Sequence, residues 1–347
     1  MLTARAGRES VRPALLVLHQ KSLFAENGIL KRVLPACLCE GDRVAVVAPG
    51  GAPDPASLEA GVEMLRGRGL KVRVGLHALD RYGHLAGADR DRAFDLMEAF
   101  LDPEIHAVFC ARGGVGCARL IPHLDLAAIG MRPKIFVGYS DVTILHLAIA
   151  KTGGWPTFYG PMVATEFGQG LCLECVELLW RLISRPEPAG DLFCPHVAAL
   201  RQSLVAGTVE GVLMGGTLCL VESSIGTSYA IDTAGKILVL EDSHETAWRV
   251  DRMLTHLAHA GVLDGAAGFV IGSLVEGPND PDELSLPIGQ SLLDHLGPLG
   301  RPVLCGLPFG HIDAPLTLPL GCRARVDAEA GTIRVLEPAV CSRSGRS

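Results

Sequence analysis

Three short segments of this chain carry side chains able to move a proton or attack a carbonyl carbon. They are Gly138-Tyr139-Ser140-Asp141, the run ILVLED from Ile237, and the loop GLPFGHIDAPLTLPLG from Gly306, which holds His311. In the first, an apolar run at 135–137 meets the GYSD turn, and an apolar helical pattern follows at Val142, Leu145 and Ile149. Strand, tight turn and helix in that order place a serine hydroxyl at the apex, over amides that favour a developing negative charge. The same serine has a plainer use as a helix N-cap, with Asp141 or Thr143 assisting. The second segment reads as a buried strand that delivers two carboxylates at its carboxyl end. Glu241 abuts the apolar residues and is the more shielded, and Asp242 is placed to cap the next helix. A shielded carboxylate grips an imidazole N–H strongly because the effective dielectric around it is low. His311 sits on a loop stiffened by glycine and proline, a better setting for a general base than that of His256 and His259 on a helix, or of His123, His146 and His295.

Ser140, Glu241 and His311 thus form a serine–carboxylate–histidine set, in the chain order that α/β-hydrolases also use. The turn itself excludes that assignment. Val142 stands two residues past Ser140, where G-x-S-x-G requires glycine, and the chain has no HGGG element.

The elements that must position these residues follow from periodicity. Apolar runs at 42–49, 70–74, 107–110 and 134–137 alternate with helical patterns at 56–68 and 89–102, which predicts a parallel sheet wound by right-handed crossovers. Functional loops then gather at the strands' carboxyl ends. Pro49-Gly50-Gly51, Arg112-Gly113-Gly114 and Tyr139-Ser140-Asp141 all fall on that rim. Residues 153–169 read as turn-rich and irregular, and 174–183 as a helix. A second unit begins near Gly207, with GVLMGG at 211–216, strands at 237–240 and 268–272, a helix at 248–260, and strands at 323–327 and 332–336. The expected layout is an extension at 1–38, a nucleophile domain at 39–168, a linker at 169–204, a domain carrying Glu241 and His311 at 205–338, and a tail at 339–347.

The bulk composition narrows the function classes. The 347 residues allow two cores, and 48% hydrophobic with 20% charged residues describes a folded globular chain. A net charge of −7 and only 5% aromatics argue against a nucleic-acid or anionic-membrane partner. No apolar run reaches the roughly 18 residues that span a bilayer. The eleven cysteines are scattered, with Cys172 and Cys175 the one C-x-x-C, and read as small buried hydrophobes in a reducing, cytoplasmic compartment. No metal site is expected: H-E-x-x-H is absent, and His244-Glu245 lacks partner spacing.

Six ordered segments resemble the serine-peptidase family of LD-carboxypeptidase (muramoyltetrapeptide carboxypeptidase) and the microcin C immunity protein. They are GDRVAVVAPGG from Gly41, ARGGVGCARLIPHLD from Ala111, VGYSDVTILHLA from Val137, GVLMGGTLCLVESSIGTSYA from Gly211, ILVLEDSHETAWRVDRMLTHLAHAGVLD from Ile237 and GLPFGHIDAPLTLPLG from Gly306. The similarity covers residues 40–337. It implies an α/β fold: a flavodoxin-like N-terminal domain and a smaller swivelling C-terminal one. It also implies a homodimer, no cofactor, and a Ser140–His311–Glu241 triad that releases D-alanine from murein tetrapeptides. One departure is visible at Thr217, where relatives usually read Asn and where a substrate contact is expected. The backbone amides of Asp141 and of Gly113 or Gly114 would form the oxyanion hole, and Arg112 would meet the substrate's terminal carboxylate. Two other readings stand beside this one. The first is microcin-immunity-type cleavage of an aminoacyl-nucleotide analogue, with Trp155, Phe158 and Tyr159 as an aromatic platform. The second is a catalytically silent binding protein on the same scaffold.

Overall fold

The apolar runs at 44–47, 107–110 and 135–137 fold as strands buried on both faces, as parallel strands between helical layers must be, while the run at 70–74 forms a half-exposed edge strand. The computed structural model describes residues 33–193, 201–277 and 284–343. In chain order the strands are β1 (Arg43–Val47), β2 (Lys71–Val74), β3 (Ile105–Cys110), β4 (Ile135–Gly138), β5 (Thr157–Tyr159), β6 (Gly190–Asp191) and β7 (Gln202–Val205). They continue as β8 (Thr208–Thr217), β9 (Ile237–Glu245), β10 (Gly268–Glu276), β11 (Val303–Cys305), β12 (Leu318–Leu320), β13 (Arg323–Asp327) and β14 (Thr332–Val335).

The first sheet runs β12-β5-β4-β3-β1-β2. β2 through β5 pair in parallel and β12 closes the edge antiparallel to β5. The order 2-1-3-4-5 is that of flavodoxin-like folds, and its switch point lies between β1 and β3. The helix Pro55–Gly67 shows how local sequence builds a layer. Asp54 caps it through Ser57 N at 2.9 Å, proline occupies the first turn, and Leu58, Val62 and Leu65 bury one stripe. The second sheet runs β6-β14-β13-β8-β9-β10-β11-β7, with β8 to β11 parallel and antiparallel strands on both flanks.

One apolar core crosses both sheets, joining Val46, Phe109 and Phe136 of the first to Val239 of the second and Phe309 of the loop after β11. A second lies between β9 and β10 and the helix Ala247–His259, through Leu238, Leu240, Leu254 and Phe269. The described residues from Leu34 onward accordingly cluster as one unit. The expected linker is built into this body. Its helix Leu173–Ser184 buries Cys175, Leu178, Leu179 and Leu182, Trp180 lies 6.4 Å from the Phe109 ring, and β6 and β7 edge the second sheet. The boundaries drawn at 38 and 339 also cut through packed chain, because Ala36 bridges Cys341 while Cys37, Leu38, Ala339 and Val340 are buried. The rest of the expected extension, residues 1–32, lies outside the described residues. Residues 153–169, expected to be irregular, hold β5 and a π-helical turn, Val163–Phe167. Among the described residues no helix is long and apolar enough to cross a membrane.

Candidate active site

The turn after β4 is strained where the hydroxyl sits. Ser140 has φ +64°, one of two described non-glycine residues with a positive value. A left-handed L-residue costs roughly 1–2 kcal/mol, and such strain concentrates at functional turns. Here the conformation turns the chain from β4 into the 3₁₀ turn Ser140–Val142 and then the helix Thr143–Thr152. Neither helical segment takes a side-chain capping bond, so the N-cap reading of Ser140 does not hold. Its Oγ lies 2.9 Å from His311 Nε2 instead. His311 Nδ1 lies 2.8 Å from Glu241 Oε2, and that oxygen also accepts the His311 backbone N–H at 3.2 Å. A carboxylate only accepts hydrogen bonds, so Nδ1 carries the proton and Nε2 presents its lone pair to the serine. Burial pushes the His311 pKa down, but Glu241's hydrogen bond and charge, with the charges of Asp242 and Glu166, outweigh it and hold the ring above its ordinary value.

Glu241 comes from the last buried stretch of β9 and is fully buried. Its second oxygen is not left bare: Oε1 accepts from the Tyr159 hydroxyl and from Thr217 Oγ1, the latter at 2.9 Å. Thr217, expected to face substrate, is buried behind the carboxylate, and its amide donates to Thr143 Oγ1 at 3.1 Å. This placement has a simple cause, since β8 runs beside β9 with Thr217 opposite Glu241. On the far side Gly310 lets the loop close on the same carboxylate. It has φ +93°, and a Cβ there would fall 2.1 Å from Glu241 Oε2.

The space in front of Ser140 is bounded by the loop after β3. A Cβ on Gly113 would meet Ser140 Oγ at 3.0 Å and Asp141 N at 3.4 Å, so this glycine opens directly on the nucleophile and the first helical amide. Gly114 is brought elsewhere: a Cβ there would meet Gly51 N at 3.2 Å. The Asp141 carboxylate is buried, which raises its pKa, and it accepts the Cys117 amide at 2.8 Å, tying the segment after β3 to the serine turn. Arg112 is exposed on the rim, its Nη1 donating to Ala52 O at 3.2 Å.

Aromatic side chains wall the histidine. Tyr139 stands edge-on to His311 at 5.1 Å, and its hydroxyl donates to Glu166 Oε1 at 2.6 Å. Glu166 is in turn held by the Met162 amide at 2.8 Å. Trp155, Phe158 and Tyr159 are all at most 2% exposed, which overturns the expectation that they form a stacking platform: β5 carries the last two into the sheet. Tyr159 was read as a platform residue rather than a partner of the carboxylate because β5 has only three residues, too few for a periodic signal, and Glu166, on the single π-helical turn, was not picked out at all.

Two groups of metal-ligand type occur among the described residues, His77–Asp80–Asp91 and Cys219–Asp242–Glu245. Both are engaged internally. Asp80 bonds His77, Asp242 accepts the Cys219 and Ser243 amides, and Glu245 pairs with Arg249. Neither group includes Ser140, His311 or Glu241.

Residues 44–160 match the LD-carboxypeptidase N-terminal domain and residues 210–326 the LD-carboxypeptidase C-terminal domain. A Bacillus subtilis relative, named a probable murein peptide carboxypeptidase, is 38% identical over 300 residues, covering 86% of this chain and 92% of its own. The crystal structure of a muramoyltetrapeptide carboxypeptidase from Oxalobacter formigenes superposes with a TM-score of 0.74 at 31% identity, over 84% of this chain and 97% of that one. MccF in complex with glutamyl sulfamoyl guanosine superposes with a TM-score of 0.79 at 25% identity, over 88% and 99%.

Proposed function

This chain belongs to the LD-carboxypeptidase family of serine peptidases, and on that footing we propose that it hydrolyses the L,D-peptide bond to the terminal D-alanine of murein tetrapeptides, a step of cell-wall recycling. The observation that carries the reading is the unbroken chain from Ser140 Oγ through His311 to Glu241, at 2.9 and 2.8 Å. Ser140 Oγ attacks the amide carbonyl carbon while His311 Nε2 takes its proton. Glu241 holds the ring and stabilises the imidazolium. The oxyanion is received by the amides of Asp141 and Gly113; one such donor is worth about 3 kcal/mol in the transition state. His311 then protonates the departing amine, D-alanine leaves, and a water activated by the same ring hydrolyses the acyl-serine. Arg112, on the open rim, is assigned to the substrate's terminal carboxylate.

Purified protein incubated with the murein tetrapeptide should release D-alanine, and Ser140→Ala should lower turnover about 10⁴-fold or more. Equal release by the variant would overturn the assignment. The substrate class of the MccF neighbours is less well supported, because the aromatic residues offered as a nucleobase platform are buried. An aminoacyl sulfamoyl adenosine run beside the tetrapeptide compares the two directly. A fluorophosphonate probe that left Ser140 unlabelled would favour the silent binding protein. The proposal includes a cytoplasmic location, supported by ten cysteines among the described residues of which none is joined in a disulfide, and the homodimer implied by the family, to be checked by sedimentation.

A further inference from the structure

The hydroxyl of Tyr159 touches both ends of the catalytic chain. It accepts the Ser140 backbone N–H at 3.3 Å and donates to Glu241 Oε1. With the Ser140–His311 and His311–Glu241 bonds these contacts close a ring: nucleophile hydroxyl, imidazole, carboxylate, phenol, nucleophile amide. Tyr159 is 1% exposed, its ring wedged against Tyr139, His146 and Phe309, so its hydroxyl is shielded from bulk solvent. Thr217 Oγ1 lies 2.9 Å from the phenol oxygen and donates to the same carboxylate oxygen. Each hydroxyl has one proton, and the charged acceptor is the stronger claimant, so both protons point at Glu241.

We propose that Tyr159 is a positioning residue for acyl transfer, its single phenol oxygen fixing the strained Ser140 amide and neutralising the outer oxygen of the triad carboxylate together. The proposal rests on the triad reading above. It explains why β5, a strand of three residues, is built beside the nucleophile turn: Gly138 pairs with Tyr159 directly. Burial drives the phenol pKa well above its ordinary value, so the group stays a donor across any assay pH.

The consequence lies in the pH dependence. The groups facing His311 are Glu241 and Asp242 from β9, Glu166 from the π turn, and the Tyr139 ring. Tyr159→Phe leaves all of them in place and removes one donor from the anionic Glu241–His311 pair. The pair then takes up a proton more readily. The acid limb of kcat/KM should therefore move up by about one pH unit, the size expected when one hydrogen bond to a charged group is lost. At neutral pH kcat should fall roughly 10- to 100-fold with KM changed little, because the nucleophile rather than the substrate is displaced. Thr217→Val, which leaves the phenol in place, should move the limb the same way by less, and tests the carboxylate-donor logic should Tyr159→Phe fold poorly. A wild-type acid limb in folded Tyr159→Phe protein, or in Thr217→Val alone if the first variant does not fold, would overturn the proposal. So would a loss of activity that tracked melting temperature with the limb unmoved. Ser140→Ala assayed in parallel separates the cases: if it stays active the triad reading fails, and if it is dead while Tyr159→Phe keeps the wild-type limb, only this inference fails.

Discussion

Gly310→Ala should disable the enzyme far out of proportion to one added methyl group. Two costs add. The residue has φ +93°, where an L side chain carries roughly 1–2 kcal/mol of strain. The new Cβ would also stand 2.1 Å from Glu241 Oε2, 2.4 Å from its Cδ and 2.5 Å from its Cγ. Carbon and oxygen need well over 3 Å, so about 1 Å of separation must be found, and overpacking of that kind costs about 1–3 kcal/mol. Glu241 cannot retreat, being fully buried with its other oxygen held by Tyr159 and Thr217. The loop yields instead, and His311 is the next residue along it. A displacement near 1 Å at a catalytic group costs about 100-fold in rate. We expect kcat/KM for D-alanine release to fall about 100-fold, with some 2–5 kcal/mol lost in urea melts. Gly300→Ala is the control, because φ is again positive, +60°, but no atom lies within 4 Å of the added Cβ. It should lose only about 1 kcal/mol and keep full turnover. Gly310→Ala protein working within two- or threefold of wild type would refute the claim that the loop and the carboxylate are in rigid contact.

Other outcomes follow from charge. His311 must be neutral to accept the Ser140 proton, and Glu241 holds its pKa above the ordinary value, so kcat/KM should fall as pH drops through a point above about 6.5. An acid limb at or below 6.5 would contradict the pairing. His146 behaves oppositely. Full burial depresses its pKa to about 4, with Nε2 at 2.8 Å from Gly138 O and Nδ1 at 2.8 Å from Thr157 Oγ1. Below about 6.5 the unfolded chain takes up a proton that the native state refuses, so this residue erodes stability between about pH 6.5 and 4, by about 3 kcal/mol in all. His311 contributes with the other sign, its stabilisation present below about 6.5 and lost as pH rises through its raised value. Urea melts of wild type against His146→Gln across that window isolate the first effect, and identical slopes would remove it.

The legible parts of the sequence were those whose signal is local. Apolar runs of four to six residues, each closed by glycine, marked β1, β3 and β4, and helical spacing at Leu58, Val62 and Leu65 marked the first crossover. The failures were also local in origin. β5 and β12 have three residues each and no period to detect, so 153–169 read as irregular although it supplies Tyr159. The helix expected at 174–183 is present as Leu173–Ser184, but its alternation of residues did not say that its apolar face would pack against the first sheet, and Pro186 and Pro188 follow it. Thr217 was misplaced for a related reason, since nothing in Gly215-Gly216-Thr217 says which side of β8 faces the carboxylate.

Residue types and their immediate neighbours were enough to nominate a hydroxyl at a strand–helix turn, a shielded carboxylate and a loop imidazole. They could not say that these three meet. Ser140 and His311 are 171 residues apart and His311 and Glu241 are 70 apart, so their contact depends on how two sheets pack. Packing likewise turned Asp141 into a staple for Cys117, buried the three aromatic residues, and set Tyr159 between nucleophile and carboxylate. Secondary structure is written in periods of a few residues, which a sequence displays openly. A hydrogen bond depends on tenths of an ångström between groups brought together only after the core has closed.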